Sequence, residues 1–156
     1  EEGDRMGGLM WTSHSFTDDD IELCLRQPEC AVISDTLALA PYGDLQDRVG
    51  SISGYGWAAR FLSLYVRQRN VLSLEEGIRR MTALPADRLG IRDRGRLQPG
   101  MYADITVFDK ASIESHCDAR SPRAYATGIA HVLVNGTFAM RNGERCSKDN
   151  GRVLKP

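Results

Sequence analysis

The chain has 156 residues, and its 20 lysines and arginines nearly balance its 21 aspartates and glutamates, giving a net charge of -1. This balance argues against a nucleic-acid-binding protein and against a polybasic membrane-surface protein. No apolar run approaches the roughly 20 residues that cross a bilayer, so we expect no membrane-spanning segment. The chain begins with Glu1 and shows no secretory signal. We therefore expect a cytoplasmic protein whose start is processed or belongs to a longer chain.

A helix followed by a buried strand is predicted near the start of the chain. Thr17 is a typical helix cap, because the three aspartates at 18–20 follow it and favour the positive end of the helix dipole. Pro28 ends this helix. Residues 30–34, with the sequence CAVIS, form a short apolar run that predicts a strand buried on both faces, as in a parallel sheet. Asp35 follows this strand directly.

A long loop and two helices are predicted next. Residues 36–56 contain one proline and several glycines and show little periodicity, which is typical of a functional loop. Apolar residues at helical spacing predict a helix over 57–69, with Ser63 on its polar side. Ser73 opens a capping box for a further helix over 74–83.

The last third of the chain has the pattern of β structure. Alternation in residues 105–108 predicts a strand with Ile105 and Val107 on one face. Two Asn-Gly pairs, at 135–136 and 142–143, are typical of tight hairpin turns.

The pattern therefore changes near residue 93. We predict an αβα unit over residues 1–93 and a small β unit over 94–156. An arginine-rich stretch across this boundary, residues 79–96, is interleaved with acidic residues and is predicted to be a solvated, salt-bridged face.

Asp35 is the best candidate for a chemical role. In barrels and open parallel sheets, ligands bind beyond the carboxyl ends of the strands, and Asp35 ends the predicted strand. The alternative is that Asp35 only caps the loop or helix that follows, since aspartate is common at such junctions.

The three histidines do not form a metal site by their spacing. His14, His116 and His131 lie in no H-x-H or H-E-x-x-H pattern. His131 is predicted to be half-buried in a strand and His116 to be solvated, whereas for His14 both a structural and a functional role stay open. The Gly-Tyr-Gly segment at 54–56 is neither a Walker loop nor a dinucleotide-binding fingerprint, because no G-K-[ST] follows it and no strand directly precedes it.

Several strings together resemble one family. They are VISD at 32–35, the stretch from Val71 to Asp109 with MTALPADRLG and DRGRLQPGMYAD, GIAHVLVNG at 128–136 and GRVLKP at 151–156. These strings resemble the C-terminal portion of an N-acyl-D-amino-acid deacylase, or D-aminoacylase, of the amidohydrolase superfamily. The resemblance extends from about Ser15 to the end of the chain.

The resemblance implies an α/β fold, namely a C-terminal fragment of a (β/α)8 metal-dependent hydrolase barrel. Residues 30–34 would be the last barrel strand, and the helices over 57–69 and 74–83 would close the barrel within residues 1–93. Residues 94–156 would be the C-terminal part of a small, composite β-sandwich.

The resemblance also implies the chemistry. Asp35 would hydrogen-bond a metal-bound water, take its proton as general base and return it to the leaving amine, and it could also be a weak metal ligand. Zinc or another divalent cation would be the cofactor of the full-length enzyme. The loop from Thr36 to Gly56, including Tyr55, would contact the small N-acyl amino acid substrate.

Two departures from the family pattern limit this expectation. Relatives usually carry a histidine in the loop, whereas SISGYG at 51–56 has none. A (β/α)8 barrel needs about 250 residues, yet fewer than 40 precede Asp35, so the zinc ligands of the earlier strands have no counterpart here. We therefore expect this chain alone to bind no metal, to be inactive, and to self-associate or pair with the missing N-terminal part.

Two other functions stay open. One is a non-catalytic, amidohydrolase-like scaffold or interaction module that has lost its metals. The other is a cyclic amidase, similar to dihydroorotase or hydantoinase, because a final-strand aspartate and a β-sandwich tail are shared widely.

Overall fold

The computed structural model describes residues 16–40, 42–44, 46, 51–147 and 149–154. Its helices are α1 (Asp18–Leu25), α2 (Ile52–Arg60), a π-helix (Phe61–Gln68), α3 (Leu74–Met81) and α4 (Ala83–Arg88). Its strands are β1 (Ile105–Phe108), β2 (Ile129–Val134), β3 (Thr137–Arg141) and β4 (Glu144–Arg145). Within the described residues, no helix is long and apolar enough to cross a bilayer.

Helix α1 begins as its sequence predicts. The Thr17 hydroxyl accepts a hydrogen bond from the Asp20 backbone N–H, and the Asp20 carboxylate accepts one from the Thr17 N–H. This reciprocal pair satisfies two backbone donors that an α-helix leaves unpaired at its start. The capping prediction at Thr17 is confirmed.

Helix α2 begins before the position predicted from periodicity. Ser51 caps it, with its hydroxyl accepting from the Ser53 N–H at 3.3 Å, and the helix runs from Ile52. The predicted loop therefore ends at residue 51, and Tyr55 and both neighbouring glycines lie in the first turns of α2. The start of this helix is not predicted from the sequence because glycines are poor helix formers.

The π-helix continues directly from α2 and changes which side chains face inward. Its wide turns are shown by the Arg69 N–H, which donates to the Leu64 carbonyl five residues earlier at 2.9 Å. Ser63, expected on the polar side, is only 1% exposed and donates to Glu114 Oε1 at 2.8 Å. The prediction for Ser63 is wrong, because a π-helix has a different angular spacing from the α-helix that was assumed.

The hydrophobic core joins the helices to the β unit. Ile113, which follows β1, is 3% exposed and packs with core residues from α1, α2 and the π-helix. The other members are Leu25, Ala59, Phe61, Leu62, Tyr65, Val66 and Val71. Burial of this shared apolar surface is the main term that holds the two parts together.

The four strands form one antiparallel sheet in the order β1-β2-β3-β4. Both Asn-Gly pairs make the predicted turns, with left-handed φ values of 52° and 80° at Asn135 and Gly136 and the same values at Asn142 and Gly143. These values are typical of the type I′ turns that match the twist of a hairpin.

Strand β1 departs from simple alternation. The pairing with β2 shifts register between Val107 and Phe108. Val107 is 45% exposed, whereas Phe108 packs against the core. The strand predicted over 105–108 is confirmed, and the register shift after Val107 accompanies the inward turn of the Phe108 side chain.

The apolar run at 30–34 does not form a sheet strand with any described residue. Its Val32 N–H donates to the Arg80 carbonyl at 3.0 Å, and Ile33 is 69% exposed. The predicted strand is therefore not found within the described chain, because a β-ladder needs a neighbouring strand to pair with. The described structure combines helices with one small antiparallel sheet.

Candidate functional site

Asp35 lies on the surface with a left-handed backbone conformation. Its φ is +44°, and its side chain is exposed. Aspartate is one of the few residues besides glycine that visits this conformation readily. No other described residue hydrogen-bonds or ion-pairs with its carboxylate, so the capping alternative finds no support in the described part of the chain.

Arginines of α3 and α4 hold the chain that leads to Asp35. Four successive backbone carbonyls, at 27–30, each accept a hydrogen bond from a guanidinium group. Arg80 donates to the Gln27 carbonyl and to the Cys30 carbonyl, the latter at 2.7 Å. Arg79 donates to the Pro28 carbonyl at 3.1 Å, and Arg88 donates to the Glu29 carbonyl. We call these three side chains the arginine clamp. Charge-assisted hydrogen bonds of this kind are stronger than neutral ones.

Arg80 is the buried centre of the clamp. It is 2% exposed, and its Nε donates to Glu76, which also accepts two hydrogen bonds from Arg79 at 2.7 and 2.8 Å. These bonds, those from Arg79 first, lower the pKa of Glu76 to about 2. The predicted solvated face is therefore wrong at Arg80, and also at Arg94, which is buried between Asp104 and Asn135.

Tyr55 holds the chain on the other side of Asp35. Its hydroxyl donates to the Leu39 carbonyl at 2.5 Å, and its ring lies 5.4 Å from that of Tyr125. Partial burial raises the pKa of Tyr55. The backbone on both sides of Asp35 is thus fixed by hydrogen bonds, while its carboxylate is left open to another group.

The histidines do not join Asp35 in a site. His116 is exposed and lies 2.9 Å from the Thr127 hydroxyl, whereas His131 is half-buried and stacks edge-on against Phe138. Both structural predictions are confirmed, and His14 lies outside the described residues. Among the described residues, no three His, Cys, Asp or Glu side chains come together as a metal would require. Asp35 by itself does not make a metal site.

Two surface cavities lie elsewhere. One of 330 Å³ is lined by Tyr42, Arg145, Cys146 and Ser147. A second, of 410 Å³, lies between the π-helix and the end of β1 and has a mainly apolar lining that includes Leu62, Leu72 and Phe108. Asp35 lines neither of them. Arg145 closes part of the first by donating to the Tyr42 hydroxyl at 2.8 Å.

The arginine clamp was not predicted from the sequence. Gly77 and Arg80 are the two buried residues of α3 and are three positions apart on one face. The sequence pattern that could have predicted a buried arginine is Gly77 followed three residues later by Arg80, with Glu76 four residues before Arg80.

Comparison with known proteins shows which family the chain belongs to. The model of an amidohydrolase family matches residues 44–139. The chain belongs to this amidohydrolase family. Among curated relatives of this amidohydrolase chain, an N-acyl-D-glutamate deacylase of Alcaligenes xylosoxydans xylosoxydans is 44% identical over 101 residues, which are 65% of the chain and 20% of the relative. An N-acyl-D-aspartate deacylase of the same organism is 32% identical over 138 residues, 88% of the chain and 26% of the relative.

Solved structures agree with this assignment. A crystal structure of D-aminoacylase has a TM-score of 0.81 and 30% identity, over 90% of this chain and 28% of that protein. An N-acyl-D-glutamate deacylase from Bordetella bronchiseptica, complexed with zinc and a phosphonate mimic of the tetrahedral intermediate, has a TM-score of 0.72 and 34% identity, over 83% and 27% of the two chains. The amidohydrolase chain therefore spans about a quarter of the length of these proteins.

Proposed function

We propose that this chain belongs to a metal-dependent enzyme that hydrolyses the amide bond of N-acyl-D-amino acids. The observation that carries this proposal is the likeness of nine-tenths of the chain to D-aminoacylase, with a TM-score of 0.81. The enzyme would be complete only in the full-length protein, because the chain spans about a quarter of its relatives.

Asp35 is the proton shuttle in this proposal. Water adds to the amide carbonyl while the Asp35 carboxylate takes a proton from it. The same group then gives the proton to the leaving nitrogen as the carbon–nitrogen bond breaks, leaving a carboxylate and a free D-amino acid. An exposed carboxylate without a partner among the described residues is suited to this role, because it is available to a substrate or a water. A divalent metal, when bound, lowers the pKa of water from 15.7 to about 7.

The metal ligands must come from elsewhere in the full-length protein. The described residues hold no suitable cluster, and a single carboxylate such as Asp35 adds at most one weak ligand. A relative was solved with zinc, which makes zinc the first cation to test. We expect the isolated chain to bind no stoichiometric zinc and to lack activity.

The segment around Asp35 is also the proposed contact with the missing part of the barrel. Ile33 and Leu37 are 69% and 70% exposed, and residues 30–34 have no strand partner among the described residues. Such exposed apolar side chains favour association. Light scattering of the isolated chain should give a mass that rises with concentration, and the double variant Ile33→Lys, Leu37→Lys should reduce that rise. A monomer at every concentration would contradict this contact.

The decisive experiment replaces Asp35 with Asn in the full-length protein. Loss of a general acid–base group lowers turnover by about 100- to 10,000-fold, so we expect such a fall in kcat on N-acyl-D-amino acids. Asp19→Asn is the matched control, because Asp19 is an exposed acid of α1, outside the loop assigned to the substrate, and we expect its kcat to stay within twofold. Unchanged turnover in Asp35→Asn would show that the assignment is wrong.

The same assay separates the alternatives. Wild-type protein is tested on N-acyl-D-amino acids and on cyclic amides, and its zinc content is measured. Turnover of cyclic amides alone would favour the cyclic amidase. The absence of both turnover and bound metal would favour the scaffold.

A further inference from the structure

The Gly54-Tyr55-Gly56 segment contacts different parts of the molecule on its two sides. It forms the first turns of α2, where a single glycine already costs about 1 kcal/mol of helix stability. Two glycines at this place therefore call for a compensating contact. Both glycines have one.

Gly54 faces the loop that follows Asp35. A Cβ atom at this position would lie 2.5 Å from the Leu37 carbonyl oxygen, which is backbone and cannot move aside cheaply. The adjacent Tyr55 hydroxyl donates to the Leu39 carbonyl. Two carbonyls, two and four residues after Asp35, are thus in contact with one helical turn.

Gly56 faces the β unit. A Cβ atom there would lie 2.8 Å from Cys117 Sγ and would also overlap the Ser115 side chain. The Tyr55 ring packs against Tyr125 of the same unit. The helical turn is therefore enclosed between the loop after Asp35 and residues 115–125.

We propose that this Gly-Tyr-Gly turn is a positioning element, through which the β unit sets the backbone that follows Asp35. The proposal rests on the proposed function of Asp35. Tyr55 acts here through the loop backbone and is a positioning residue, since its hydroxyl is used on the Leu39 carbonyl. The β unit then has a direct part in the reaction geometry, although it supplies no reacting group.

The kinetic test uses Tyr55→Phe in the full-length, metal-loaded protein. This change removes the hydroxyl and keeps the ring that packs on Tyr125. Because small displacements of a catalytic group reduce turnover strongly, we expect kcat to fall about tenfold while KM stays within twofold. The matched control is Tyr102→Phe, since Tyr102 lies beside Arg94, away from this turn. Its kcat and KM should equal those of the wild type.

The second readout does not need activity. In the 156-residue chain, the ¹⁵N order parameters of residues 36–40 should fall towards about 0.6 in Tyr55→Phe, because the loop loses the bond that holds the Leu39 carbonyl. The order parameters of residues 105–108 should not change. Unaltered order parameters in 36–40 would overturn the proposal, whatever the kinetics.

The two readouts separate the possible failures. A raised KM at unchanged kcat would overturn the positioning role, because Tyr55 would then contribute to substrate binding. An inactive wild-type enzyme would refute the proposed function, and the order parameters would still decide whether the turn holds the loop.

Discussion

The segment at 27–40 and the sheet β1–β4 satisfy their backbone groups in different ways. The sheet pairs its strands with one another through two tight turns. The segment instead relies on side chains from distant elements, with the arginine clamp before Asp35 and Tyr55 after it. It also leaves Ile33 and Leu37 exposed.

This difference separates strands that pair with one another from a segment whose backbone is held by side chains. Strands that pair locally can form wherever their own sequence is present. A strand of a parallel sheet needs neighbours from elsewhere in the chain. In the proposed function, the clamp holds the segment that leads to Asp35, and the exposed apolar side chains of this segment form the proposed contact with the rest of the barrel.

The largest expected effect breaks the clamp. Arg80→Met removes the buried guanidinium and leaves the Gln27 and Cys30 carbonyls without it. We expect the free energy of unfolding to fall by about 3 kcal/mol, because buried acceptors lose charge-assisted hydrogen bonds. Urea denaturation at fixed protein concentration measures this. Arg26→Met is the control, since Arg26 forms an exposed pair with Glu22 and should cost about 0.5 kcal/mol or less.

A smaller effect tests the sheet. Asn135 and Asn142 occupy the same turn position with the same φ. Among the described residues, however, only the Asn135 side chain links distant groups, accepting from Arg94 and donating to the Asn150 carbonyl. Replacement of Asn142 by Ala should cost about 1 kcal/mol through backbone strain alone. Replacement of Asn135 by Ala should cost about 2 kcal/mol, because hydrogen bonds are lost as well. Equal losses in thermal or urea unfolding would argue that the Arg94 contact contributes nothing.

Acid should weaken the clamp more than the sheet. The pKa of Glu76 is lowered from 4.5 to about 2, so its ionised form stabilises the fold above pH 4.5 and this contribution is lost as pH falls towards 2. Because Glu76 is partly exposed, solvent screening limits the contribution to about 1 kcal/mol. In Glu76→Gln, the unfolding free energy should depend less steeply on pH between 4.5 and 2. A slope identical to that of the wild type would contradict this.

The smallest effect concerns the irregular strand. Val107 is exposed at the register shift, so Val107→Thr should change the free energy of unfolding by about 0.5 kcal/mol or less. Phe108→Ala is the comparison, because Phe108 packs against the core, and it should cost about 2 kcal/mol. A large loss of unfolding free energy in Val107→Thr would instead show that Val107 is packed in the core.

Local signals were sufficient for much of the fold. The helix cap at Thr17 and the turn at each Asn-Gly pair depend on three or four neighbouring residues, and these predictions are confirmed. Ser63 was misplaced because nothing in its neighbourhood reveals a π-helix. The α2 start at Ile52 was missed because glycines are read as loop residues.

The site was harder to predict than the fold. Asp35 is recognisable from its place after an apolar run, and its part in catalysis stays a prediction. The arginine clamp joins residues about 50 positions apart, and no local pattern announces which carbonyls a buried arginine will reach. Likewise, the contact of Tyr55 with Leu39 depends on how the loop folds back on α2.

The acceptors held by the arginine clamp are all main-chain oxygens, which every amino acid possesses. Residues 27–30 should therefore tolerate many replacements in a saturation library, whereas Arg80 should tolerate almost none. Lysine would be a poor substitute there, since its single nitrogen lacks the planar fork that reaches two carbonyls and a carboxylate together. Distant homologues would then be easier to align by the arginines of the clamp than by the residues that correspond to 27–30.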